Sequence, residues 1–261
     1  MCKRWMVFLS LVALAVISTA AMAAVLDAGP PPVMSGIARY SDGQTITFPR
    51  AFRAVPVVVT SAQMNGKAVS SCALNNSTAN FQISLRDENK APVQGAWVQW
   101  IAFIPRTDVK VIGGIQKASN GQHIAFAAMS AVPVIVTNAQ IGGKALNSSA
   151  VNSAANGFTI VIRNQDNAPI VDAWVQWMAV IPTPINRFKA QCAVRNSGDN
   201  VVFAPPLVGN PVYVLSAQLA MAPMAASAVN NRADGFKLSL VRHDGSPGHN
   251  AWTSWIGYAG P

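Results

Sequence analysis

The motif Ala-Trp-x-x-Trp occurs three times, at residues 96–100, 173–177 and 251–255, in steps of 77 and then 78 residues. Apart from Trp5 near the N-terminus, these copies hold every Trp in the chain. Other landmarks keep the same step: Phe81, Phe158 and Phe236; Asn75, Asn152 and Asn230; Gln63, Gln140 and Gln218. Pro56, Pro133 and Pro211 each open an apolar run, and Gly43, Gly121 and Gly198 each precede a Phe (Phe48, Phe126, Phe203) by five residues. A period of this size makes the 261-residue chain three copies of one supersecondary unit.

Each copy reads as short strands separated by turn residues. In the first copy, strands are expected at 36–41, 45–48, 56–63, 68–74, 81–86 and 96–104, with turns at Asp42-Gly43 and Asn65-Gly66. Val57, Val58 and Val59 suit a pleated, buried surface. No stretch carries a 3.6-residue amphipathic period. The expected fold is all-β: three tandem six-stranded antiparallel β-sandwich modules.

The last strand predicts how the modules meet. Side chains alternate faces along a strand, so Trp97 and Trp100 point to opposite sides. Ile101 and Phe103 make one face apolar; Val98, Ala102 and Ile104 make the other apolar. One face can fill the module's own sandwich, and the second requires a neighbouring copy. Three such copies close around a pseudo-threefold axis as a single-chain pseudo-trimer, a monomer with internal symmetry. The short, Pro-marked linkers at 105–109 and 182–188 keep neighbours close.

Residues 1–23 read as a secretory signal: Lys3 and Arg4, an apolar run over 6–17 too short to cross a bilayer, and the small-residue end Ala21-Met22-Ala23. The expected division is 1–23 signal, 24–34 linker, 35–105 repeat 1, 106–182 repeat 2 and 183–261 repeat 3. The processed protein is expected to be secreted, periplasmic or at the cell surface, with no transmembrane segment. Loss of Lys3 and Arg4 lowers the formal net charge from +9 to +7. The basic residues are scattered, which argues against a specific nucleic-acid site.

The segments Ile46-Thr47-Phe48, Pro56-Val57-Val58-Val59, Phe81 and Trp97-Val98-Gln99-Trp100-Ile101-Ala102 resemble the H-type lectins of snail agglutinins and discoidin C-terminal domains. The second copy ends Trp174 to Ala179 with Met178 for Ile; the third ends Trp252 to Gly257 with Gly for Ala. The resemblance implies a six-stranded sandwich, a trimeric arrangement and a galactose-type ligand. The binding residues of that family do not carry over. Residues 68–80 and 145–157 hold no Arg where the family places one, residues 223–235 hold only Arg232, too near Phe236 to match, and the family's Trp-His pair is replaced by Glu88-Asn89, Gln165-Asp166 and His243-Asp244.

No catalytic constellation, metal site or cofactor site is expected. His123, His243 and His249 do not recur in register, and no glycine-rich phosphate loop opens a helix. The polar clusters after the fifth strand are the candidate glycan contacts: Arg86 and Asp87, Arg163 and Asp166, and Arg242, His243 and Asp244. Arg donors and Asp acceptors can fork onto adjacent sugar hydroxyls; solvated loops with local ion pairs are the plainer reading. Trp97 and its copies could stack on sugars, but their place in an apolar strand points to core packing. The function expected is glycan binding, to galactose-type sugars or acidic polysaccharide. The alternative is a structural or adhesive protein that makes protein contacts only.

Cys72 and Cys192 depart from their own repeats. Cys72 stands where the other copies have Ser149 and Ser227, and Cys192 where they have Ile37 and Ile115. Copies one and three adjoin in a closed ring, so a Cys72–Cys192 disulfide is a candidate, with two free thiols as the alternative.

Overall fold

The computed structural model describes residues 33–105, 111–181 and 187–260, and its regular structure is entirely β. The leader expected at 1–23 and the central linker residues, 106–110 and 182–186, lie outside the described residues. The first module consists of β1 (Val33–Tyr40), β2 (Thr45–Thr47), β3 (Val57–Met64), β4 (Lys67–Leu74), β5 (Asn80–Arg86) and β6 (Ala96–Phe103). They form one antiparallel sheet in the order β1-β6-β3-β4-β5-β2. The second module repeats this order with β7 (Val111–Ala118), β8 (His123–Ala125), β9 (Val134–Ile141), β10 (Lys144–Ala154), β11 (Gly157–Arg163) and β12 (Ala173–Val180). The third does so with β13 (Phe188–Arg195), β14 (Asn200–Val202), β15 (Pro211–Leu219), β16 (Ala222–Arg232), β17 (Gly235–Val241) and β18 (Ala251–Ala259). β1 starts two residues ahead of the expected module start at 35, because Val33 already pairs with Phe103.

β4 makes the sheet a sandwich. Its first residues, Lys67 to Val69, pair with β3, and the rest, Ser70 to Leu74, pair with β5. The sheet therefore curls through this strand and folds its two halves over one core. That core holds Phe48, Phe52, Val58, Phe81, Leu85, Val98, Trp100 and Ala102. Equivalent aromatic clusters gather around Trp177 and Trp255.

The recurring landmarks now have physical causes. Gln63, Gln140 and Gln218 each cap a two-residue hairpin by accepting from the N–H of Gly66, Gly143 or Met221 at 2.8–3.0 Å. Asn75, Asn152 and Asn230 all sit at φ of 50–53°, the left-handed conformation that Asn tolerates better than most residues. In the second and third modules the ladder shifts register at these Asn positions. Gly257, a departure from the Trp-x-x-Trp-Ile-Ala ending, pairs in register with Tyr213, which stands where the other modules have Val58 and Ile135. A Cβ at 257 would come within 2.6 Å of the Tyr213 ring, so the smaller residue admits the larger one.

The two-faced strand does what its pattern requires. Val98, Trp100 and Ala102 enter the first module's own core, while Ile101 and Phe103 enter a separate cluster. That cluster takes Val57 and Val59 from the first module, Val136, Met178 and Val180 from the second, and Val212, Val214, Ile256 and Tyr258 from the third. It is the apolar half of the pseudo-threefold axis. Further along, the axis turns polar. Thr60, Ser71, Asn138, Ser148 and Ser216 line a cavity of about 20 Å³, room for about one water molecule.

Candidate functional site

The loops after the fifth strand spend most of their polar groups on their own structure. Arg86 forms a 2.6 Å ion pair with Asp42, both largely buried, and also donates to the Leu85 carbonyl. Asp87 accepts from the N–H groups of Asn89 and Ala91 and so closes its own loop. Asn164 does the same for Asp166 and Ala168. Asp244 accepts from the Ser246 N–H and hydroxyl, and those bonds hold its carboxyl below the usual range. Arg163 donates to the Asn167 carbonyl at 2.7 Å and to Met221 O of the third module at 3.3 Å. Asp166 pairs with Lys90 of the first module.

The register also corrects the alignment of these clusters. The bridges Arg86–Pro92, Arg163–Pro169 and Val241–Pro247 make Val241, not Arg242, the third equivalent of Arg86. Arg242 and His243 instead line a cleft of about 50 Å³ with Asn167 and Pro223. That is well under the ~300–1,000 Å³ of ordinary small-ligand sites. The candidate contacts thus form no threefold-repeated pocket. Among the described residues, no group of three or more His, Cys, Asp or Glu converges as metal ligands would.

The candidate disulfide is absent: Cys72 and Cys192 are both free. Cys72 is fully buried on β4, where burial pushes its thiol up to about 12, opposed by a contact with Gln176. Cys192 is exposed on β13, in register with Ser254. The matching Ile37 and Ile115 are also exposed, so this position lies on an outer surface and not against the buried β4 of another module.

A different set of residues does recur, and it overturns the assignment of Trp97 and its copies to the core. Trp97, Trp174 and Trp252 are 41%, 45% and 52% exposed, on strands whose other large side chains are buried. Strand register places each in the middle of a three-strand row. Arg39, Trp97 and Gln63 line up across β1, β6 and β3. Lys117, Trp174 and Gln140 do so across β7, β12 and β9, and Val194, Trp252 and Gln218 across β13, β18 and β15. The Arg39 guanidinium lies 5.4 Å from the Trp97 ring centre, and Lys117 Nζ lies 5.9 Å from that of Trp174. Lys117 is also paired with Asp172 at 2.7 Å.

These Trp residues are exposed because of where each strand meets its neighbour. On the same face as Trp97, Phe103 and Ile101 reach the axis, and Gln99 is buried against the third module. Two residues before Gln99 the strand has left that contact, and the indole faces outward. Gln63, the register partner of Trp97, lines a groove of about 440 Å³ between the first and third modules, with Ser197, Asn230, Lys237 and Ser239.

No family model matches the chain, and neither a curated protein nor a solved structure does. The period of the repeat located these Trp residues. Their exposure could not be read from it, because the signal was a Trp in an apolar strand, which is usually buried.

Proposed function

We propose that this protein is a trivalent, lectin-like carbohydrate-binding protein whose sites are the rows centred on Trp97, Trp174 and Trp252. The observation that carries the reading is the threefold recurrence of an exposed Trp on a strand paired on both sides. An exposed indole in a fixed orientation offers a flat apolar face to the C–H face of a sugar ring. The flanking Gln, Arg and Lys side chains supply donors for hydroxyl or carboxylate oxygens. The resemblance to H-type lectins supports the same ligand class, although the residues used here differ from that family's. Three sites in one chain raise a weak single-site affinity through avidity. The positive charge of Arg39 favours acidic glycans at the first row, Lys117 at the second shares its charge with Asp172, and Val194 leaves the third uncharged, while the galactose-type expectation rests on the resemblance.

The test is a glycan array followed by calorimetry on the glycans retained. Single Trp97→Ala, Trp174→Ala and Trp252→Ala variants should lose avidity stepwise, and the triple variant should bind none. A parent protein that retains no glycan, or a triple variant that binds as the parent does, overturns the proposal and leaves the adhesive reading.

A further inference from the structure

The end of the molecule where the axis cluster closes differs in chemistry from the opposite end. Three connections lie at that end: residues 48–56, 126–133 and 203–210, which lead into β3, β9 and β15. Their position is fixed by hydrogen bonds to the far turns of the same sheets. Phe48 and Phe52 N–H donate to Ala79 and Thr78, and Phe203 and Leu207 N–H donate to Asp234 and Ala233. Pro211 pairs with Ala259, and Val57 with Phe103, which places these loops at the C-terminal ends of β18 and β6.

These connections carry valines in solvent: Val55 at 53%, Val132 at 59% and Val208 at 88% exposure. Around them, Ala54, Ala128, Ala131, Pro205 and Pro206 are exposed too. A protein surface rarely gathers this much small apolar side chain at one end without a use for it. Among the described residues the charge there is mostly positive. Arg50, Arg53, Arg187 and Arg232 are exposed at this end. Among the described residues its one carboxylate is Asp234, which already pairs with Arg232 at 3.5 Å. Every other described carboxylate lies at the opposite end, on the connections after β1, β5 and their equivalents.

We infer that this end docks onto an anionic lipid surface. Small exposed valines on three connections suit the boundary between head groups and acyl chains, and the surrounding arginines suit lipid phosphates. A polyanion in solution would use the arginines but would gain nothing from the valines, so the combination favours a bilayer. This inference is independent of the Trp rows, which lie toward the other ends of the same strands.

The experiment is co-sedimentation of the full chain with phosphatidylcholine vesicles, with and without phosphatidylglycerol, at low and high salt. Binding should appear only with phosphatidylglycerol and should fall at high salt. The double variant Arg50→Ala/Arg53→Ala should bind roughly thirtyfold more weakly. The Val132→Asp/Val208→Asp variant, whose changes sit in solvent and leave the core intact, should lose vesicle binding as well. The Trp triple variant should bind vesicles as the parent does, which separates this result from failure of the glycan reading. Equal binding to neutral and anionic vesicles, or no binding, overturns the inference. Retention on an acidic polysaccharide that is insensitive to the valine changes, without vesicle binding, also overturns it.

Discussion

Gln176 Nε2, in the second module, donates to the Ala73 carbonyl of the first at 2.6 Å. Its Oε1 accepts from Val58 N–H and from Asn76 Nδ2 of that same neighbour. Gln99 of the first module holds the third in the same way, through the Ala228 carbonyl, Tyr213 N–H and Asn231 Nδ2. Replacing Gln176 by Ala leaves the buried Val58 N–H without its partner and the Ala73 carbonyl with only the weak Cys72 thiol. Urea unfolding should show a loss of about 2–5 kcal/mol, with a similar loss for Gln99→Ala, since each unsatisfied buried group costs ~1–3 kcal/mol.

The third boundary lacks this device, and it lacks both halves. Ser254 stands where the other modules have Gln99 and Gln176, and Ser153 where they have Asn76 and Asn231. A second contact is lost in the same paired way. Ser84 Oγ accepts from Ala145 N–H and Ser239 Oγ from Ala68 N–H, whereas the equivalents at this boundary are Val161 and Pro223, which has no N–H. Installing Ser254→Gln together with Ser153→Asn should stabilise the protein by about 1 kcal/mol, the net worth of a typical internal hydrogen bond. Either change alone should do less, and a double-mutant cycle by urea unfolding measures the coupling.

The β15–β16 hairpin turns through Ala220 and Met221, at φ of 48° and 65°, where the first module uses Asn65-Gly66. Such turns favour Asn-Gly, and a side-chain-bearing residue in the left-handed region costs ~1–2 kcal/mol. Ala220→Asn with Met221→Gly should raise stability by about 1 kcal/mol, after the added chain entropy of Gly is set against the relieved strain. Thermal unfolding reads this as a rise in Tm.

The thiols of Cys72 and Cys192 should separate in reactivity. Cys192 is exposed, whereas Cys72 is buried with its pKa pushed up to about 12, so little thiolate forms near neutral pH. Titration of the native protein with a thiol reagent should lose one fast-reacting group in the Cys192→Ser variant. Cys72→Ser should leave the fast phase unchanged and remove a thiol that appears only on unfolding.

Arg86 should matter for stability and not for glycans. Its ion pair with Asp42 is largely buried, and removing one partner strands the other. Arg86→Ala should cost about 1–3 kcal/mol, below the ~3–5 kcal/mol of a fully buried pair. Glycan binding by the folded variant should match the parent, measured beside the Trp97→Ala protein.

The sequence by itself determined the local and periodic features. Six strands per copy, the hairpin at Asn65-Gly66 and the two-faced strand at 96–104 follow from alternation and turn chemistry, which act over a few residues. The meeting of three copies at an axis followed too, because a strand apolar on both faces needs two partners. Only the tertiary structure decided which polar groups bond across module boundaries. Nothing local distinguishes Gln99, buried against Tyr213 and Ala228, from Gln63, which caps its own turn. It also decided that Trp97 faces solvent while Trp100 enters the core, and that Cys192 lies on the outside. The physical reason is that alternation fixes which face a side chain takes, while its burial depends on how far the neighbouring module extends along that face.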